Sequence, residues 1–157
     1  AGKFFDQDLL VGKIKRQKTK EKFVIKSAGN NIFRGKLALL IDSDTASAAE
    51  IFARVAQIEK RGLVLGDRSA GAVMQATQFL HRFGINPEAP YYVQITIADL
   101  TMRDGQRLEK KGVTPDETIL PSPSDIATRR DPVLSRAAET LGFKLSPENA
   151  GQIFTKQ

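Results

Sequence analysis

Cysteine and tryptophan are absent from this 157-residue chain, and histidine occurs once, as His81. Without thiols there is no disulfide scaffold, no thiol nucleophile and no cysteine-based metal site. A single histidine argues against a protein metal site as well, and no cofactor is expected. No run approaches the ~20 apolar residues of a membrane span, and nothing at the N-terminus reads as a signal peptide. The glycine spacings of the Rossmann and P-loop nucleotide sites are missing, as is the Gly-x-Ser-x-Gly elbow of the α/β-hydrolases. There is no internal repeat and no low-complexity tract. What remains is ordinary for a globular protein, 41% hydrophobic and 27% charged, and long enough for one domain with a real core.

The formal net charge of +6 is concentrated between Gly12 and Lys26. There Lys13, Lys15, Arg16, Lys18, Lys20, Lys22 and Lys26 outnumber the lone Glu21. Lys13-Ile14-Lys15 alternates and Phe23-Val24-Ile25 follows, which predicts a hairpin with a solvated, weakly anion-attracting basic tip. Phe23 is the one ring able to stack on a base, and no nucleic-acid module is recognisable. Nucleic acid is therefore not an expected partner.

The most informative stretch is Asp44-Thr45-Ala46-Ser47-Ala48-Ala49-Glu50. Leu37-Ala38-Leu39-Leu40-Ile41 before it is a short apolar run, predicting a strand buried on both faces. After it, Ile51, Phe52, Val55 and Ile58 recur at helical spacing, with Glu50, Arg54, Gln57 and Lys60 off that stripe. A small-residue turn thus leads from a strand into an amphipathic helix, with Ser47 at its start. The first amides of a helix lack intrahelical partners and carry the positive end of its dipole. A hydroxyl there can attack a carbonyl while neighbouring N–H groups hold the oxyanion. A cap is the competing role for a serine at this position. Asp44 or Thr45 could cap alone, and Thr45 has no reciprocal acid at Ala48 for a capping box. Glu50 reads as a charge partner for the helix N-terminus.

Three ordered blocks, Gly35–Ile51, Gly62–Gly71 and Leu108–Asp116, resemble the C-terminal processing, or tail-specific, serine peptidases. The likeness spans roughly residues 35–142. It implies that Ser47 is the nucleophile and that the Ala48 amide contributes to the oxyanion hole. The lysine by which many members activate that serine falls on Ala72, in Gly71-Ala72-Val73, so a Ser–Lys dyad is not available there. Lys110 and Lys111 read as solvated charges. The chain is closer to the tricorn-core branch, where a histidine is the base and a glutamate orients it. By that resemblance Glu109, just before Gly112-Val113-Thr114-Pro115-Asp116, is the orienting acid. The histidine itself is expected upstream of residue 1, with an Arg-Gly and Gly-Gly stretch supplying the rest of the oxyanion hole. His81 instead reads as a packed or edge-strand residue. A PDZ-type domain, frequent in the family, would also lie outside these residues.

The remaining pattern reads as α/β. Leu63-Val64-Leu65 predicts a second buried strand, and Val73–Leu80 an extended segment in which Met74, Ala76, Gln78 and Leu80 alternate. Gly84–Pro90 predicts a loop and Tyr91–Ile97 the clearest strand. Asp104-Gly105 marks a turn of hairpin type. Pro121-Ser122-Pro123-Ser124 looks like a linker-like break, and Asp131-Pro132 caps a helix ending at Gly142. Residues 143–157 are polar apart from Phe143, Ile153 and Phe154, and either stay disordered or dock through those side chains. The resemblance implies a partial ClpP/crotonase-like stack of strand–strand–helix units. Residues 1–142 would be the C-terminal part of the catalytic core and 143–157 a tail.

The expected function is a serine endopeptidase acting on polypeptides, with nucleophile and orienting acid in this chain and the base elsewhere. These residues alone would then be inactive. The competing reading is a non-catalytic module that binds peptides or hydrophobic ligands on the same scaffold. The resemblance implies an extracytoplasmic location. Exposed strands leave homo-oligomerisation open.

Overall fold

The computed structural model describes residues 1–84 and 89–153. It holds seven strands, β1 Leu9–Arg16, β2 Lys20–Ile25, β3 Ala38–Ile41, β4 Leu63–Gly66, β5 Gln75–Phe83, β6 Ala89–Met102 and β7 Glu117–Thr118. Four helices accompany them, α1 Ala48–Ile58, α2 Pro123–Ala127, α3 Pro132–Leu141 and α4 Pro147–Gln152. The architecture is mixed α/β. One sheet is antiparallel, in the order β2-β1-β6-β5, and the other is parallel, in the order β3-β4-β7.

The expected strand–helix–strand unit is present. Ala38 pairs with Leu63 and Ile41 with Gly66 in parallel register, and α1 is the crossover that such a pair requires. The two strands differ in burial. Val64 and Leu65 of the central β4 are fully buried, whereas Leu40 of the edge strand β3 is 44% exposed. The expectation that Leu37–Ile41 is buried on both faces is therefore corrected: Ile41 joins the core, but β3 ends the sheet, and α3, though packed against it, leaves Leu40 exposed.

α1 sits in the core that joins both sheets. Ala53 and Val55 are buried with Leu9, Val11, Leu100 and Met102 of the antiparallel sheet and Ile41 and Val64 of the parallel one. Phe52 packs on Phe4 and Phe5, ring centroids 5.3 and 6.4 Å away. Two residues off the apolar stripe of this helix are nonetheless engaged within the protein. Glu50 is fully buried, and the Gln57 amide donates to the Thr114 carbonyl (2.9 Å) and to Asp116 Oδ1 (3.0 Å).

The basic hairpin forms as β1–β2, and Asp131, Pro132 and the left-handed Gly142 bound α3 as anticipated. Three local expectations change. Pro121–Ser124 is not a linker, because Ser122 caps α2, its hydroxyl accepting the Asp125 N–H while the Asp125 carboxylate accepts the Ser122 N–H. The segment after Gly142 includes α4, docked on α3 with Ala150 fully buried; Phe143 and Ile153 remain 68% and 50% exposed. Docking is thus by a small residue, and Phe154 lies outside the described residues. Of the expected loop 84–90, residues 89 and 90 belong to β6, which starts at Ala89, and residues 85–88 lie outside the described ones. No described helix is long and apolar enough to cross a membrane.

Equal chemistry at unequal burial gives a test. Leu65→Ala should cost about 3 kcal/mol in urea unfolding, as a cavity in a close-packed core does. Leu40→Ala in the adjacent strand should cost under about 1 kcal/mol.

Candidate active site

Ser47 is the N-cap residue of α1, and its backbone is unusual. It lies at φ 58° and ψ −123°, a region that non-glycine residues occupy at a cost of roughly 1–3 kcal/mol. Neither Asp44 nor Thr45 takes the capping position. The Thr45 hydroxyl instead accepts the Asp42 N–H (3.0 Å) and donates to Asp42 Oδ1 (2.7 Å). That bond holds the Asp42 carboxyl below its usual value. The reciprocal acid of the cap is Glu50, three residues after Ser47, whose Oε2 accepts the Ser47 N–H at 3.1 Å. The pattern Ser47-x-x-Glu50 carries this relation in the sequence.

Glu50 does more than face a helix end. Its buried Oε1 accepts the Ser69 hydroxyl (2.6 Å) and the Gly71 N–H (2.7 Å), while Oε2 also accepts the Ala72 N–H (2.9 Å). Four donors from two segments thus converge on one carboxylate, and all are of the kind an acceptor-only group takes. The 69–72 segment is fixed in return. Its Ala72 carbonyl accepts the Ser47 N–H (3.0 Å), and the Ala70 N–H reaches the Thr45 carbonyl (2.9 Å).

A third segment closes on the same strip. Ser69 Oγ accepts the Val113 N–H (2.6 Å), and the Gly71 carbonyl accepts the Lys110 N–H (2.7 Å). The backbones touch so closely that a Cβ on Gly112, which has φ +70°, would stand 2.2 Å from the Ser69 carbonyl oxygen. This contact places Glu109 beside the strip, where its Oε2 accepts the Val73 and Met74 N–H groups at 2.9 and 3.0 Å. Among the described residues its Oε1 carries no hydrogen bond.

These elements border one cavity of about 710 Å³. Ser47, Ala48, Ala72 and Glu109 line it together. Ser47 and Ala48 are exposed, and among the described residues the Ala48 N–H has no acceptor. Ile14, Phe23, Ile51, Val73 and Leu100 add an apolar wall, with Arg16, Gln75 and Gln94 also on the lining. The three residues singled out from sequence therefore meet in one groove. Ala72 also lies there, bringing only a methyl group next to Ser47. Lys110 and Lys111 are exposed and off this lining. His81 is on β5, stacked on Tyr91 at 5.4 Å between ring centroids, and does not border the groove. No group of three or more metal-ligating side chains occurs among the described residues.

Comparison with known proteins gives a consistent family. The family model described as Peptidase family S41 matches residues 1–119. A protein from Parabacteroides merdae thought to be a peptidase is 19% identical, with a TM-score of 0.69 over 89% of this chain and 45% of its own. The tricorn protease is 24% identical, with a TM-score of 0.61 over 85% of this chain and 12% of its own. The photosystem II D1 C-terminal processing protease is 25% identical, with a TM-score of 0.54 over 78% of this chain and 31% of its own. The first two, under 25% identical, are evidence of fold alone. The chain spans less than half the length of each of these structures.

Glu50→Gln turns one acceptor into a donor facing donors, and should destabilise the protein by about 2 kcal/mol. Ser69→Ala removes one of the four contacts and also strands the Val113 N–H, and should cost about 2 kcal/mol. Urea midpoints at constant m-value check both.

Proposed function

The chain belongs to peptidase family S41, and on that premise we propose that it carries the nucleophile and orienting acid of a serine endopeptidase. The observation that carries the reading is the backbone of Ser47. A strained, exposed serine at a strand-to-helix turn is what a presented nucleophile requires, whereas a plain N-cap adopts relaxed extended angles, as Ser122 and Ser146 do here.

In this reading Ser47 Oγ attacks the scissile carbonyl of a polypeptide lying in the groove. The Ala48 N–H, which has no acceptor among the described residues, donates to the developing oxyanion. A histidine outside residues 1–157 takes the serine proton and later gives it to the leaving amine. Glu109 orients that histidine through Oε1, with Oε2 anchored by two backbone amides. A histidine base rather than a lysine is favoured because Ala72 brings no amine to Ser47. The family resemblance supports an extracytoplasmic location, which cell fractionation tests directly.

The second reading, a carrier of hydrophobic ligands, draws on the apolar wall of the same cavity. The two separate on covalent chemistry. An activated serine reacts with a fluorophosphonate probe; a carrier's serine does not.

In the full-length protein, Ser47→Ala should lower peptide hydrolysis by at least ~10³-fold with an unchanged circular dichroism spectrum. Fluorophosphonate labelling should vanish with it. Turnover that survives the substitution would overturn the assignment. Glu109→Gln should lower kcat by ~10²-fold or more with KM little changed.

A further inference from the structure

The face of the antiparallel sheet that looks away from Ser47 carries an unusual set of neighbours. In the β1–β2 register Lys13 stands opposite Lys22, and Lys15 opposite Lys20. Direct partners share a face about 5 Å apart, and like charges so placed repel. Lys18 adds a fifth ammonium at the turn. All five are exposed, and among the described residues none of the five forms an ion pair. Glu21, the acid of the hairpin, is committed to Arg16 at 3.1 Å.

The same face continues into an apolar strip. Ile95 and Ile97 of β6 border an open cavity with Lys15 and Lys18, and neither borders the Ser47 cavity. Gln94 and Leu100, on the alternate positions, border the Ser47 cavity and not this one. Strand alternation carries the Ile95 face on through Val93 and Tyr91, paired with Phe79 and His81 on β5. Phe79, Phe83, Tyr91, Val93 and Ile95 are each between 38% and 78% exposed. The one acid on this face of β6, Asp99, is tied to Arg107 at 2.6 Å.

Repelling lysines beside an uncharged aliphatic and aromatic strip are costly in water on both counts. One surface relieves both: a bilayer with anionic headgroups, which attracts ammonium groups electrostatically and accepts Phe, Tyr and aliphatic side chains at the acyl boundary. A nucleic-acid strand would answer the lysines and could stack on Phe79, Phe83 or Tyr91, but it would leave the aliphatic Val93, Ile95 and Ile97 without apolar cover. We propose that this face docks the protein on an anionic lipid surface, with the Ser47 cavity on the side away from the lipid. The proposal does not depend on what Ser47 does.

Full-length protein sedimented with vesicles tests it, using phosphatidylcholine alone against phosphatidylcholine with phosphatidylglycerol. Binding should be confined to the anionic vesicles and weaken as salt rises from about 0.1 M to about 0.5 M, where charges are screened over shorter distances. Lys20→Glu/Lys22→Glu should weaken it by ~20-fold or more. That variant should also melt higher than the parent, because each new acid faces a lysine across the strands. Phe83→Ser/Tyr91→Ser should remove the part of the binding that survives high salt. Equal binding to both vesicle types, indifference to the charge reversal, or tighter binding to an oligothymidylate than to anionic vesicles would each overturn the proposal.

Discussion

Everything distinctive about this molecule is organised around the buried carboxylate of Glu50. Taking a charge out of water costs several kcal/mol unless donors replace the lost hydration. Here the donors are three backbone N–H groups and one hydroxyl, from Ser47, Ser69, Gly71 and Ala72. No cation is among them. The first turn of α1 adds the favourable end of its dipole. The consequence is mechanical: the helix start and the 69–72 segment cannot move apart without stranding a charge and the three donors of that segment.

That constraint explains how the Ser47 backbone holds an angle pair it would not choose. Its N–H is anchored to Ala72 and Glu50, and the preceding Thr45 carbonyl is anchored to Ala70. Strain of a few kcal/mol persists only where surrounding contacts over-determine it. The same 69–74 segment then passes the constraint on, through Ser69, Gly71, Val73 and Met74, to the turn that bears Glu109. The Ser47 turn and the Glu109 turn are 62 residues apart in the chain. They share a groove because one short strip of backbone is bonded to both.

The antiparallel sheet separates two chemistries. Its inner face contributes Ile14, Ala98 and Leu100 to the wall of the groove. Its outer face carries lysines and an apolar strip that no described element covers. A two-residue side-chain period makes such a division inexpensive, since adjacent residues on one strand can serve unrelated purposes.

Much of this was legible in the residues themselves. Apolar runs, the small-residue turn before a helical stripe, and the Asp131-Pro132 and Gly142 boundaries report local preferences that need no partner. The resemblance of three blocks to a peptidase family singled out Ser47, Ala48 and Glu109 by chain position. Other features were decided only by packing. Leu40 and Leu65 are the same residue in similar runs, yet one is half-exposed because its strand ends the sheet. Pro121–Ser124 has a linker's composition but caps a helix, since Asp125 closes a capping box. Glu50 has the spacing of a surface acid, and burial follows from where Ser69 and Gly71 arrive. Helices α1 and α3, the main strands and the hydroxyl at the start of α1 follow from neighbours in the chain, because local preference and periodicity suffice for them. That this residue is strained, exposed and brought into one groove with Glu109 came from packing, because those properties rest on hydrogen bonds between segments distant in the chain.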